Sequence, residues 1–477
     1  MTAEVRTSTP IAPKSPSATT RETHRGARST VGRLSPGTLK GLVADGRLDT
    51  VLLALPDLQG RLKGKRFEAG HFTDRVLAQG ADMCAYLLAT DVAMRPLDGF
   101  PLASWESGYQ DLRVVPDVST LRMVPWLPRT ALLLGDAVTQ DNQPIEVAPR
   151  QMLQTQLARL AGHGLEVKAG VETEFVLYNA PAGESAALQG SLRPATEQNL
   201  DYALGLDGPL GRYLRRLQAA LLGAGHPVEA VKTEAAPGQV EVTFPYGPAL
   251  AACDGHLLFK HAAKSLAHAA GMAATFMAAP QTGVASGLHI HLSLWQQNRP
   301  QHAAADGTLS PITLQAVAGL LDTLPQLAPL YAPTVNSYKR YRPASFAPTR
   351  MTWGQDNRTC AVRVVGHGEE THLEIRLPGA DANPYLALAA IVAAITDGLD
   401  RALKPPTAHA GNAYAAHAPL VPVTLEQASD SFRASSAARE AFGESTVAHY
   451  ARLADVEIDA HRAVVTDAER HRWLTDA

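Results

Sequence analysis

A chain of 477 residues is too long for one ordinary hydrophobic core and long enough for two or three. With 45% hydrophobic and 19% charged residues, its composition is that of a globular protein, which excludes a disordered or fibrous chain. A formal net charge of −3 offers nothing to nucleic acid or to an acidic membrane surface, so small molecules are the expected partners.

Met1 to Arg33 is rich in Ser, Thr, Pro, Ala and Arg and has no apolar core of a secretory signal. Residues 1–40 are expected to form a disordered basic tail. Val51-Leu52-Leu53-Ala54-Leu55 reads as a buried strand, ended by a turn at Asp57-Leu58-Gln59-Gly60. Arg61 to Phe67 alternates basic and apolar residues and is expected to pair back on it as a hairpin. Ala131-Leu132-Leu133-Leu134 is a second buried strand, closed by Gly135-Asp136. Residues 41–142 thus form a small mixed α/β domain. Val147 to Leu165 has a helical period, with Pro149 where a first turn tolerates it. A larger domain, 143–477, begins there, with helices expected near 211–224, 249–270, 311–329 and 383–403. Lys404 to Pro422 reads as a loop, and Leu425 to Trp473 as helical. The three cysteines, Cys84, Cys253 and Cys360, form no pairing pattern and fit a reducing compartment. No run of about 20 apolar residues spans a membrane, so a cytoplasmic location is expected.

Four short segments alternate with the period of a strand. In Gly170-Val171-Glu172-Thr173-Glu174-Phe175, the two glutamates share one face. In Gln239-Val240-Glu241-Val242-Thr243-Phe244, Glu241 and Thr243 do, with Glu234 seven positions earlier in a loop. In Gly287-Leu288-His289-Ile290-His291-Leu292-Ser293, the two histidines and Ser293 face one way. In His372-Leu373-Glu374-Ile375-Arg376, Glu374 and Arg376 do. Taken singly, each is an ordinary half-solvated strand. Together they describe a sheet with an apolar back and a front that concentrates carboxylates. Crowded carboxylates repel and take up protons unless cations neutralise them. Oxygen donors with one imidazole suit Mg²⁺ or Mn²⁺ better than zinc. Arg340, Arg358 and Arg363 add planar guanidinium groups suited to carboxylate and phosphate. No GxxxxGK[ST] loop is present, which excludes a P-loop enzyme.

Six motifs in order, Glu172-Thr173-Glu174, Glu234 with Glu241, Gly287-Leu288-His289-Ile290-His291, Asn336-Ser337-Tyr338-Lys339-Arg340, Asn357-Arg358 and Glu374-Ile375-Arg376, resemble those of the glutamine synthetase family. Asn383-Pro384-Tyr385-Leu386 matches as well. The resemblance runs from about Asp49 to the C-terminus. It implies an α+β fold, with an N-terminal β-grasp domain followed by a catalytic domain whose curved antiparallel sheet is surrounded by helices. It implies two divalent cations per site, Mg²⁺ or Mn²⁺, one held by Glu174, Glu234 and Glu241 and the other by Glu172, His289 and Glu374. ATP would be the co-substrate, with His291 and Ser293 by the nucleotide and Arg358 and Arg363 on its phosphates. Arg340 and Arg376, with the loop at Gly287, would hold glutamate. The implied assembly is a homo-oligomer, a dodecamer of two hexameric rings with sites shared between neighbours. The implied reaction makes γ-glutamyl phosphate, which an amine then attacks.

The chain departs from ammonia-using members where they bind and deprotonate ammonium. Phe346, in Ser345-Phe346-Ala347-Pro348, stands in place of a flap glutamate, and Met83-Cys84-Ala85-Tyr86-Leu87 replaces a run carrying an aspartate. These changes favour glutamate joined to an organic amine, ethanolamine or another short one. A polyamine substrate, an ordinary ammonia-using glutamine synthetase and a non-catalytic relative are the alternatives. Tyr414 resembles a tyrosine that some relatives modify with AMP, although its surroundings do not match.

Overall fold

The computed structural model describes residues 32–180 and 193–475. Most of the expected tail lies outside them, but its last residues do not fit disorder. Ser35 caps a helix at Pro36–Ala44 by accepting from the Thr38 N–H, and Leu39 is fully buried.

The first sheet has six strands: β1 (Thr50–Pro56), β2 (Leu62–Glu68), β3 (Ala81–Cys84), β4 (Asp111–Pro116), β5 (Arg122–Met123) and β6 (Thr130–Val138). Its order is β2-β1-β6-β4-β3, with β5 on β6; β1 and β6 are parallel and the other pairs antiparallel. The β1–β2 hairpin forms as expected, Thr50 opposite Glu68. The strand expected to close at Gly135-Asp136 instead runs on to Val138, because β4 needs Gly135 through Val138 as its partners.

The second sheet has eleven strands. They are β7 (Glu166–Asn179), β8 (Arg193–Pro194), β9 (Ala230–Thr233), β10 (Gln239–Thr243), β11 (Gly247–Pro248), β12 (Met272–Thr275), β13 (Leu288–Gln296), β14 (Arg299–Pro300), β15 (Trp353–Gln355), β16 (Val362–Val365) and β17 (His372–Ile375). The main path is β15-β16-β17-β13-β7-β10-β9, antiparallel except for β15 on β16. The four segments read as strands are β7, β10, β13 and β17, and they are contiguous. Their apolar residues, among them Val171, Phe175, Val240, Leu288, Ile290 and Leu373, are buried on the back. Helices Pro149–Ala161, Pro209–Gly223, Ala249–Ala269, Pro311–Asp322 and Pro384–Asp400 supply the layers packed around it. The helix expected to reach residue 329 changes at Leu324 to a 3₁₀ run, Leu324–Leu330, which contains two prolines. Among the described residues no helix is long and apolar enough to cross a membrane.

Two polar contacts, among others, tie the first sheet to the helices packed on the second. The first is Arg150, buried in the first turn of its helix, which pairs with Asp117 and Asp136 from the first sheet at 2.6 Å each and with Asp254 of helix Ala249–Ala269 at 3.0 Å. The Tyr385 hydroxyl donates to the same Asp254 at 2.6 Å. The second is Asn383. Its side chain caps helix Pro384–Asp400 and donates to the carbonyl of Asp57 at 3.0 Å, in the turn after β1. A Cβ at Gly60 would meet the Asn383 Cα at 3.1 Å, and Gly60 also has φ +68°, so this turn needs glycine to lie so close.

Arg150→Met leaves three aspartates without their shared counter-charge, two of them in the first sheet. A loss of about 3 kcal/mol is expected, near the low end for breaking a buried pair because Asp117 and Asp136 are partly solvated. Urea unfolding of the variant checks it, and an unchanged midpoint would show that water replaces the guanidinium without cost.

Candidate active site

Strand register sets the site. Glu241 on β10 pairs with Glu174 on β7, His289 on β13 with Glu172 on β7, and Glu374 on β17 with His291. Even-numbered positions of β7 and odd-numbered positions of β13 and β10 therefore present their side chains to one face. Glu234 joins them from the turn between β9 and β10, its N–H bonded to the Gln239 carbonyl at 3.0 Å. The result is two triads, Glu174–Glu234–Glu241 and Glu172–His289–Glu374, in each of which ligand atoms lie within 4.8 Å of one another. These are the two sets expected from the sequence.

The triads differ in charge. Burial raises the Glu241 carboxyl, and the charges of Glu172 and Glu234 push it further, up to about 10. Burial and then Glu234 raise Glu174, against the pull of His289, Arg340 and the Gly287 N–H, which donates to it at 3.0 Å. The nearest cation to this triad is Lys232, on Glu234. Such a group of carboxylates calls for a divalent cation with oxygen ligands, and its donor set fits Mg²⁺ or Mn²⁺. The other triad already carries its counter-charges. His289 Nδ1 lies 2.8 Å from Glu172, and Arg363 and Arg376 both bind Glu374. Burial would raise Glu374, but Arg376, His289, His291 and the Arg363 hydrogen bond hold it down at about 2. Three ligands of mixed oxygen and nitrogen fit a second cation there too.

Gly287 has a steric role. A Cβ there would lie 2.6 Å from His289 Nε2 and 2.8 Å from Arg340 Nη2, so any side chain at this point would have to displace these two buried groups.

The remaining expected residues divide. His291 and Ser293 line a cleft of about 510 Å³ that opens beside Glu172. The His291 ring meets His372 at 3.1 Å, and the Trp295 indole N–H donates to the Ser293 hydroxyl at 2.8 Å. Arg363 does not line this cleft: it spans Glu374 and Asp356, pinned across β16 and β17. Arg358 is exposed in the turn after β15. Arg340 is 3% exposed and spends its donors on the carbonyls of Arg376 and Leu377 at 3.0–3.2 Å, with Nη2 3.3 Å from His289. Arg376 is bound to Glu374 and donates to the Phe346 carbonyl at 3.3 Å. Phe346 is 64% exposed, at φ +57°. Ala85 is 3% exposed within the core of the first sheet, so it faces no ligand, and an aspartate there would be a buried charge.

Lys168, Glu229, Phe244, Tyr246 and Trp295 also line the cleft and were not singled out from the sequence. Lys168 lies 3.3 Å above the Trp295 ring. Extending the alternation two steps back from Glu172 to Lys168 and one step on from Ser293 to Trp295 would have found that pair.

A family model for the catalytic domain of glutamine synthetase matches residues 146–473. The chain belongs to the glutamine synthetase family. It is therefore a ligase of a family whose enzymes use ATP and divalent metal ions. It is 45% identical to a γ-glutamylethanolamide synthetase, GlnA4, of Streptomyces coelicolor, over 91% of this chain and 94% of that one. It is 33% identical to a glutamate–isopropylamine ligase of Pseudomonas, over 90% and 95%, and 35% identical to a glutamine synthetase of Thermus thermophilus, over 76% and 85%. Its structure resembles that of GmaS bound to ADP, with a TM-score of 0.79, 28% identity and coverage of 91% and 99%.

Titration with Mn²⁺, read by electron paramagnetic resonance, is expected to count two sites. Glu241→Gln should weaken one of them at least about tenfold, and His289→Asn the other. Two unaltered sites in Glu241→Gln would remove that triad from metal binding.

Proposed function

We propose that this chain joins the γ-carboxyl of glutamate to a short organic amine, ethanolamine foremost, with ATP as co-substrate. The observation that carries the amine is Phe346. The flap Arg342–Pro348 contains no acidic residue and presents an exposed aromatic ring instead. Ammonia and alkylamines are mostly protonated at neutral pH, so an ammonia site gains from a carboxylate that attracts and deprotonates the cation. Phe346 can do neither, but it can cover methylenes. The names of two relatives, an ethanolamide synthetase and an isopropylamine ligase, point the same way.

In this reading the cleft beside Glu172 takes the nucleotide, its base end toward Trp295 and Phe244 and its phosphate end toward His291 and Ser293. Two Mg²⁺ or Mn²⁺ ions in the triads would supply Lewis-acid neutralisation of the transferring phosphoryl group. Arg363, anchored on Glu374, stands ready to hold a phosphoryl oxygen, and Arg358 reaches the same corner from its turn. Arg376 orients the substrate carboxylate, while the buried Arg340 braces the loop at Gly287 and the Arg376 carbonyl. The γ-carboxylate attacks the terminal phosphorus, ADP leaves, and the neutral amine attacks the acyl phosphate, expelling phosphate. Closure of the flap keeps water from that intermediate.

The same reading takes residues 41–142 as the family's β-grasp domain and 143–477 as the catalytic domain. It places the enzyme in the cytoplasm as a dodecamer of two hexameric rings, with sites completed by neighbouring subunits.

Two methylenes covered by Phe346 at roughly 0.8 kcal/mol each correspond to about tenfold in kcat/KM. Ethanolamine is therefore expected to exceed ammonia by at least that factor in an assay of amide formation, and Phe346→Glu to shift the ratio toward ammonia. Faster turnover of ammonia than of every amine tested by the unmodified protein would make it a plain glutamine synthetase.

A further inference from the structure

The triad Glu174–Glu234–Glu241 has a lysine built against it. Lys232 lies on β9 opposite Glu241 of β10, so the two side chains share the face of the triad. Its ammonium donates to Glu234, just past the end of the same strand. Two further partners stand outside the triad. Asp201 Oδ1 lies 3.5 Å from the Lys232 Nζ, and the centre of the Tyr202 ring lies 4.4 Å from it. Both belong to the segment 196–204, which is fastened to β9 and to the turn that follows it. The Thr233 hydroxyl donates to the Leu200 carbonyl at 2.6 Å, the Gly238 N–H donates to the Thr196 hydroxyl at 2.7 Å, and the Asp201 N–H donates to the Asn199 side chain at 2.8 Å. The tip of the segment is held more loosely. Tyr202 and Leu204 are exposed, and the Tyr202 N–H reaches the Thr233 carbonyl only at 3.4 Å.

An ammonium and a divalent ion do not use Glu234 on equal terms. The three carboxylates offer ligand atoms within 4.8 Å of one another, so one ion can draw on all of them. A divalent ion of the Mg²⁺ kind demands a fixed oxygen geometry, whereas the lysine ammonium is a point charge on a flexible four-carbon stem. Two cations on one small group of carboxylates repel each other. The ammonium is the one free to leave, because its stem flexes and its other two partners are already in reach. An aspartate and an aromatic face each stabilise a cation, so the retreat costs little.

We propose that Lys232 is a tethered competitor for the cation of this triad: its ammonium holds Glu234 until a divalent ion claims that carboxylate, and then withdraws onto Asp201 and the Tyr202 ring. The ion is thereby bound less tightly than three carboxylates alone would bind it, and it stays exchangeable. The segment 196–204 gains a full charge to close on when the ion arrives. The coupling is reciprocal, so whatever strengthens the retreat also strengthens ion binding. This inference rests on the triad as a metal site and not on which amine is joined.

The test is Mn²⁺ affinity of the whole chain, read by electron paramagnetic resonance, beside hydrogen exchange of the amides of 196–204. Lys232→Met keeps an unbranched stem and removes the charge. It should tighten, by about tenfold, the site that Glu241→Gln weakens, the scale of one charged hydrogen bond no longer in competition. Asp201→Asn takes away part of the retreat and should weaken the same site by about threefold. In the Lys232→Met background it should do nothing, since the competitor is gone. Mn²⁺ should slow exchange across 196–204 in the unmodified chain and leave it unchanged in Lys232→Met. Equal or weaker Mn²⁺ binding in Lys232→Met overturns the proposal. So does an equal effect of Asp201→Asn in both backgrounds, which is what a charge acting through space alone would give. Exchange that ignores Mn²⁺ in the unmodified chain overturns it too, and that measurement holds even where Lys232→Met does not fold. Two sites that respond to Glu241→Gln but not to Lys232→Met sink this inference alone. Sites indifferent to Glu241→Gln sink the metal reading, and the inference with it.

Discussion

Like-charge repulsion is the constraint around which the catalytic face is built. Five glutamates from β7, β10, β17 and the turn before β10 face one another over a few ångströms, and no arrangement of the backbone alone makes that stable. The chain solves half of the problem internally. Two guanidinium groups and a histidine surround Glu374 and hold it ionised although it is 1% exposed. The other half is left open. Among the described residues, the cation that acts on Glu241 is Lys232, bound to its neighbour Glu234, and the carboxyl of Glu241 is driven up to about 10. One triad is thus preorganised by protein charges and the other depends on a charge brought from outside.

That asymmetry places demands on the scaffold. Carboxylates that repel must be held by something other than their own contacts, and here it is a sheet whose apolar back is fully buried, braced by Arg150 and Asn383 against the first sheet. Arg150 gathers three aspartates from three different elements, so the junction between the sheets is itself a charge-compensated node. The site motif Asn383-Pro384-Tyr385-Leu386 carries no catalytic group. Asn383 caps a helix and reaches the turn after β1, and Tyr385 reaches Asp254, so what the motif does in this fold is docking.

The catalytic face was legible in the sequence because a strand's period of two is strict: Glu172, Glu174, Glu241, His289 and Glu374 could be assigned to one face from alternation alone, and the register confirms that they meet. What did not show was anything set by partners distant in sequence. Arg340 and Arg363 read as ligand-binding arginines, and the fold gives each protein partners that alternation does not reveal, backbone carbonyls for Arg340 and two carboxylates for Arg363. Ala85 read as a replacement for a site aspartate and is a core residue, since its neighbours in space come from the first sheet's interior. The cleft's aromatic wall was missed because Trp295 and Lys168 lie past the motifs, although they obey the same alternation.

Arg363 shows how the two triads and the cleft can act together. Its two partners are unequal. Glu374 is 1% exposed, so removing its guanidinium would strand a buried charge, which is costly. Asp356 is 69% exposed, and an ion pair with so solvated a partner contributes little. An anion reaching this corner therefore competes with Asp356 and not with Glu374. In the proposed reaction, a phosphoryl oxygen taking the place of Asp356 would gain a guanidinium already desolvated and fixed in direction by Glu374, with only the solvated pair to Asp356 broken. Asp356 lies two residues before Arg358, so under the proposed phosphoryl transfer the same exchange would leave the turn that carries the second arginine without its tie to Arg363.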